Sequence, residues 1–286
     1  MSDKIELITQ RYGKARVRVL RVVRNPDGVH AVHEVTASVM LQGDFSAAYL
    51  TDDNRQVVAT DTMKNTVHVL ARQYLTDVIE DFALALGDHF LKRYAHVSGV
   101  EIELVSSPWE RYATGTGSHP HTFVGAGPGK PFTHVAMTRN YTGISSGLRG
   151  VLLLKSTRSA FKGFPRDEFT TLPETDDRIL STCMDATWTF ASRTAHFATV
   201  NAAIPPVLLE IFAREFSPSV QNTLYLMGNA ALAAAPAITT ISLAMPNKHY
   251  LPINLQPFGL TNANEIFLPT DEPHGQIEAT IGRVSS

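Results

Sequence analysis

Twice along this chain, alternating apolar and polar residues give way to stretches of helical period and then to alternation again. That order of elements constrains the fold more than any single motif. Val17 and Val19 alternate with Arg16 and Arg18, Asn25-Pro26-Asp27-Gly28 supplies turn chemistry, and alternation resumes at Val35, Ala37, Val39 and Leu41. A hairpin with one wet face is predicted. From Asp61 the period changes: Met63, Val67 and Leu70 fall at i, i+4 and i+7, and Val78, Phe82, Leu86 and Phe90 recur every four residues, which predicts two helices. Extended segments are expected at about 101–105 and 132–141. The second half repeats the plan, with strands at about 150–156 and 178–190, helices at 206–216 and 219–233, and strands at 238–245 and 277–281. The halves share element order but no evident sequence identity. A junction near 143–150 gives units of residues 1–145 and 146–286, each an antiparallel sheet with helices on one face: an α+β fold whose open sheet edges need partners.

At 286 residues the chain can bury a core as one large domain or two packed halves. Its 25 basic and 27 acidic residues leave a net charge of −2 with no Lys/Arg cluster, so neither nucleic acid nor a membrane surface is an expected partner. Cys183 stands alone, which fits a reducing compartment. No apolar signal core follows Met1, no apolar run approaches membrane-spanning length, and the last residues, Arg283-Val284-Ser285-Ser286, are not the S-K-L peroxisomal address; a cytoplasmic protein is expected.

Local motifs mostly dissolve under their own physics. Gly143-Ile144-Ser145-Ser146-Gly147 has the G-x-S-x-G spacing of a nucleophile elbow, but a helix must follow it and residues 148–156 read as a strand, so a glycine-rich turn between two strands is expected instead. Gly125-Ala126-Gly127-Pro128-Gly129-Lys130 lacks the spacing of a phosphate loop. His119-Pro120-His121, read as a loop, offers too few ligands for a metal, and His30 and His33 sit in an alternating strand; no metal site is expected. Thr60 and Asp61 stand where a helix begins, as a cap or as an anion-binding terminus. Ser217-Pro218-Ser219-Val220-Gln221 opens another helix, with serine as cap and proline in the first turn. Asn247 and His249 share one face of a strand-like run that continues from Leu243 and Met245, and Arg178 beside Asp176-Asp177 reads alone as a surface ion-pair partner.

Taken in order, the segments Arg11-Tyr12-Gly13-Lys14, Val58-Ala59-Thr60-Asp61-Thr62-Met63-Lys64-Asn65-Thr66, Lys155-Ser156-Thr157-Arg158-Ser159-Ala160-Phe161, Glu174-Thr175-Asp176-Asp177-Arg178 and Leu243-Ala244-Met245-Pro246-Asn247-Lys248-His249-Tyr250 resemble the urate oxidase (uricase) family, bacterial type. The resemblance runs from about Tyr12 to about Arg283 and is weakest between Glu110 and Gly147; the Trp109–Gly129 loop is unlike the best-known examples. It implies two tandem tunnelling-fold (T-fold) units per chain and a homotetramer around a barrel, with active sites between subunits and no metal or organic cofactor. Urate, O2 and water would give 5-hydroxyisourate and hydrogen peroxide. Lys14, Thr60 and His249 are implied as the proton relay, with Thr60 coming from a neighbouring subunit. Phe161 would stack on urate, Arg178 and Gln221 would read its edge, and Val220 and Asp61 would offer backbone N–H groups. Asn247 with Thr60 would hold oxygen or water, and Leu172 would form an apolar wall. The competing readings are a zinc-dependent pterin or GTP-processing enzyme of the same fold, a non-catalytic purine-binding protein, and a serine hydrolase using Ser145.

Overall fold

The computed structural model describes residues 4–115 and 117–284. The chain divides into two compact units, the first reaching Gly147 and including Thr189–Ala198, the second made of Leu148–Trp188 and the chain from Thr199. In the first, β1 (Tyr12–Arg24) and β2 (His30–Gly43) form the hairpin that the alternation predicts, turned at Gly28, whose φ of 79° and N–H to the Asn25 carbonyl (3.0 Å) suit glycine. A short helix, α1 (Ser46–Leu50), leads to α2 (Thr60–Tyr74) and α3 (Ile79–Arg93), followed by β3 (Val97–Ser106), β4 (Trp109–Thr114), β5 (Gly117–Gly125), β6 (Lys130–Thr138) and β7 (Thr142–Lys155), which runs on into the second unit. The strands β1-β2-β3-β6 are neighbours in that order and pair antiparallel. One face is apolar because the period is two: Ala37, Val39 and Leu41 of β2, Ile102 and Leu104 of β3 and Val135 of β6 are all fully buried. Against that sheet lie α2 and α3, with Met63, Val67 and Ala71, then Phe82, Leu86 and Phe90, on their buried sides.

Three expectations change here. The Trp109–Gly129 loop is a separate antiparallel hairpin, β4 with β5, so His119-Pro120-His121 lies on a strand. Its residues bury no common face, so no alternation announces it. The Gly143-Ile144-Ser145-Ser146-Gly147 motif lies wholly within β7 and not in a turn. There the Ser146 hydroxyl donates to the buried Glu80 carboxylate and lies 3.1 Å from Thr133 Oγ1, and the Ser145 carbonyl accepts from Thr133 (3.1 Å), a packing role.

In the second unit β7 is followed by β8 (Leu180–Phe190), α4 (Phe197–Arg214), α5 (Val220–Ala234), β9 (Ile238–Ala244), β10 (Asn247–Pro252), β11 (Phe267–Gly275) and β12 (Glu278–Gly282). The run from Leu243 to Tyr250 is not one strand: it breaks at Met245-Pro246, β9 pairing with β8 and β12, and β10 with β8 and β11. The α4 helix begins well before residue 206 and carries Pro205-Pro206 in its interior, so the prolines taken for a helix start mark its middle. Among the described residues it is also long and apolar enough to cross a membrane, with 18 residues and mean hydropathy 1.2, against the expectation that no such run exists. Its buried residues Val200, Ile204, Leu208 and Phe212 recur every four positions, the stripe of a helix that packs one side on a core.

The four long helices share one device at their C-termini. None of α2, α3 and α5 ends on a left-handed glycine; the cap residues Leu75, Tyr94 and Ala235 have φ of −76°, −122° and −128°. Cations outside the helices take the free carbonyls instead. Arg21 donates to Leu75 O (2.7 Å), and Arg139 donates to Ala95 O (2.9 Å) and more weakly to Leu91 O and Tyr94 O (both 3.4 Å). Lys155 donates to Glu215 O (2.7 Å) and Phe212 O (3.2 Å), and Arg283 to Leu232 O and Ile238 O. Each places positive charge at the negative end of a helix dipole. Arg21→Met is therefore expected to destabilise the protein by about 1–2 kcal/mol, a fall of a few degrees in the midpoint of thermal unfolding. An unchanged midpoint would mean that water serves these carbonyls equally well.

Candidate functional site

In the first unit the chemistry-bearing residues gather where β1 begins and α2 begins. Gly13 is pressed so closely on β2 that an added Cβ would lie 1.9 Å from the Val39 carbonyl oxygen, which restricts the position to glycine. Immediately after Lys14 the pairing with β2 slips, in a bulge between Lys14 and Val17 where Arg16 takes a φ of 58°. Lys14, half-buried, is thus fixed on one side by a close backbone contact and on the other by a bulge.

The start of α2 is open. Thr60 and Asp61 do not cap it: Ala59 holds the cap position and no side chain bonds the terminal N–H groups. Thr60 is the first helical residue and its side chain is exposed, so hydroxyl and N–H donors face outward together. The Asp61 carboxylate turns along its own helix, to Lys64 and to Asn65 Nδ2 (2.9 Å), leaving its backbone N–H at the terminus. Lys64 chiefly, and Asn65 and Lys14 to a smaller extent, hold that carboxyl below its ordinary range, which places Lys14 within electrostatic reach of the helix N-terminus.

In the second unit a network of backbone bonds assembles a second set of residues from separated segments. Ala160 N–H bonds Ser217 O (2.8 Å), Phe161 N–H bonds Thr175 O (2.9 Å) and Arg178 N–H bonds Ser159 O (2.9 Å). These place Phe161, Arg178 and the start of α5 beside one another. The Phe161 ring stacks on Phe164 (centroids 4.9 Å apart, planes at 12°), and Arg178 Cζ lies 5.3 Å from the Phe161 centroid. At α5 the cap is Ser219, whose side chain accepts from Asn222 N–H (3.1 Å), so Pro218 lies ahead of the cap and not in the first turn. That bond leaves Val220 and Gln221, the first two helical residues, with N–H groups beyond the helical ladder.

Arg178 is not a surface ion-pair partner. Its carboxylate neighbours are engaged elsewhere, Asp176 with Lys162, and Asp177 with Thr157 (2.8 Å) and the Arg158 N–H (3.0 Å). Arg178 Nε is buried without a hydrogen-bond partner, and burial depresses the proton affinity of its guanidinium. Among the described residues of this unit two further buried polar atoms have no partner: Ser159 Oγ, beside that network, and Thr182 Oγ1 on β8. Thr182 faces Asn247 directly in the β8–β10 register. Asn247 and His249, two apart on β10, share a face opposite a bulged stretch of β11, where the register jumps from Thr270 to Gly275. Leu172 is 52% exposed, in the irregular segment before Arg178. The sequence reading missed the orphaned hydroxyls of Ser159 and Thr182, and gave no role to Tyr12; none of these leaves a periodic or spacing signal.

An edge of paired donors beside a flat aromatic ring and an open helix N-terminus suits a planar anionic ligand rich in acceptors. Among the described residues no group of three or more His, Cys, Asp or Glu side chains is placed to hold a metal.

A profile of the uricase family matches residues 10–136 and 144–278. The uricase of Dictyostelium discoideum is 38% identical over 282 residues, 98% of each chain. That of Arthrobacter globiformis is 40% identical over 283 residues, 99% of this chain and 92% of the relative. The crystal structure of the Arthrobacter globiformis uricase matches with a TM-score of 0.94 over 99% of this chain and 97% of that one. The urate oxidase of Bacillus sp. TB-90, at 24% identity, shares the fold, with a TM-score of 0.85 over 96% of this chain and all of that one.

A desolvated guanidinium with an orphaned Nε is a cost to the folded chain unless a ligand meets it. Arg178→Met is accordingly expected to leave the stability of the unliganded protein unchanged or raise it, by up to about 1 kcal/mol, read as an unchanged or higher thermal midpoint. A loss of about 3 kcal/mol or more would mark Arg178 as a structural ion instead.

Proposed function

The chain belongs to the uricase family and is a urate oxidase, an oxidoreductase, and we propose that it performs the reaction with its own side chains alone. The observation that carries this reading is the Arg178–Phe161–α5 arrangement, in which a buried guanidinium N–H without a partner stands beside an aromatic face and two free helix N–H groups. Arg178 and Gln221 read the donor and acceptor edge of urate, Phe161 stacks on its ring, Val220 N–H binds it, and Leu172 walls the pocket. Asp61 contributes its backbone N–H; that its carboxylate is committed to Lys64 and Asn65 supports this.

Triplet oxygen reacts slowly with a closed-shell organic molecule, so the substrate itself has to supply the electrons. Taking a second proton from bound urate raises its electron density. Lys14 and Thr60 of one chain form the relay that removes it, at a site whose urate-binding residues belong to the neighbouring chain, and His249 completes the proton path; the converging starts of β1 and α2 within a chain support the first pairing. One electron then passes to O2, the two radicals combine at carbon, and the peroxide group leaves as hydrogen peroxide. Water adds in its place to give 5-hydroxyisourate. Asn247, with Thr60, holds first O2 and later that water above the ring.

Each chain acts as two tandem T-fold units within a homotetramer built around a barrel, and the sites lie between subunits. The exposure of Thr60, at the uncapped start of α2, and of Gln221, in the first turn of α5, supports completion of the site by another copy. A cytoplasmic setting is supported by the single cysteine, Cys183, a free thiol.

The decisive assay is oxygen uptake with urate on chelator-treated protein, following urate absorbance and peroxide together. Uptake matched to urate loss and peroxide is expected; urate binding without uptake would leave a purine-binding protein, and uptake that chelation abolishes would refute the cofactor-free mechanism. Lys14→Met should lower kcat by roughly 10²–10⁴-fold with little change in urate binding. Arg178→Ala should chiefly weaken binding, by about 1.5–3 kcal/mol. Asn247→Ala should slow the oxygen-dependent step more than anaerobic urate binding, and unaltered oxygen kinetics would remove Asn247 from the oxygen site.

A further inference from the structure

The last residues before Thr60 are tied to β1 by a phenol. Residues 52–59, between α1 and α2, have no regular structure, and the N-terminus of α2 has no side-chain cap to fix its entry angle. The Tyr12 hydroxyl accepts from the Val58 N–H (2.6 Å) and donates to the Val58 carbonyl (3.1 Å). A single hydroxyl thus engages both backbone groups of one residue, two positions before Thr60. Val58 itself is 5% exposed. The Tyr12 ring is anchored in turn, edge-on to the buried Phe45 with centroids 4.7 Å apart. Burial holds the phenol above its usual range, so it keeps its proton through neutral pH.

Tyr12 is also two residues from Lys14 on the same strand, so both side chains leave β1 on one face. The path from Thr60 to Lys14 therefore runs through Val58, a pair of hydrogen bonds and Tyr12, while Gly13 and the following bulge fix Lys14 against β2. We infer that Tyr12 is a positioning residue, which sets the separation of Lys14 and Thr60 by clamping the Val58 backbone. This rests on the reading of Lys14 and Thr60 as the proton relay. A relay passes protons only over hydrogen-bond distances, so a displacement of an ångström on one side lowers turnover without disturbing the groups that bind urate.

The test is a double-mutant cycle on the full-length protein, measuring kcat and KM for urate in Tyr12→Phe, Lys14→Met and the double variant. Tyr12→Phe is expected to lower kcat roughly tenfold, with KM within about twofold of the parent. The double variant should be no slower than Lys14→Met within about twofold, because a clamp that acts through Lys14 has nothing left to position. A purely structural tyrosine would instead lower the unfolding midpoint while leaving kcat per folded molecule intact, and that result overturns the inference. So do losses that multiply in the double variant. Normal turnover in Tyr12→Phe beside an inactive Lys14→Met removes the clamp alone; normal turnover in Lys14→Met removes the relay reading and the clamp with it. If Tyr12→Phe does not fold, 3-fluorotyrosine placed at position 12 keeps ring and hydroxyl but weakens the acceptor; a fall in kcat in the same direction supports the clamp, and an unchanged kcat overturns it.

Discussion

The C-terminal ends of the four long helices are held by cations from elsewhere in the chain, and the rest of the architecture follows from that. A helix leaves its last carbonyls without partners, and the common remedy is a left-handed glycine that folds the chain back on itself. Here the chain leaves α2, α3 and α5 in extended or near-extended conformation and goes directly into the next segment. Arg21, Arg139, Lys155 and Arg283 accept the charge of the helix ends, and each comes from a strand or from the residue just after one. The device sets where each helix stops relative to its sheet and appears in both units. The two halves are thus related by element order and by an electrostatic rule, without sequence identity to advertise it.

Pinning the C-terminal ends leaves the N-terminal ends free, and that is where several of the proposed reactive and binding groups stand. At α2 no side chain caps the terminus and Thr60 is exposed on its first turn; at α5 the Ser219 cap takes only the Asn222 N–H, leaving those of Val220 and Gln221. The groups near the candidate residues carry local costs: a left-handed Arg16, an orphaned Arg178 Nε, and buried hydroxyls at Ser159 and Thr182 without partners. Unsatisfied and strained groups near residues of one chemistry are what preorganisation for a ligand leaves behind.

The elements that could be read from the sequence are those that bury a face. The β1–β2 hairpin, α2 and α3 announce themselves because Ala37, Val39, Leu41, Met63, Val67, Phe82, Leu86 and Phe90 must all reach one core. The β4–β5 hairpin and β11 stay silent because their side chains are mostly outside, so no period of two survives. Pro205-Pro206 hid the first half of α4, since proline is read as a start and here stands in the middle. Of the candidate site, Lys14, Thr60, Arg178 and Asn247 were legible only as members of a spaced set, for each alone has a commoner structural use. Tyr12, Ser159 and Thr182 were not legible as site residues at all, because a hydroxyl's role depends on which backbone or side chain the fold brings to it.

Charge explains why such a set suits the proposed chemistry. The substrate is already an anion, and removing a second proton from it is opposed by its own negative charge, by more in a water-excluded site than in solution. Arg178 and the partial positive charges of two helix N-termini act in the opposite sense, stabilising the dianion before any electron leaves it. None of these three groups gives up a proton near neutral pH, so they favour deprotonation without competing for the proton. In the proposed relay, proton transfer is left to Lys14, Thr60 and His249, and the inferred clamp of Tyr12 on Val58 sets the separation of the first two. The division of labour is therefore between fixed charge, which decides whether the dianion forms, and geometry, which decides how fast.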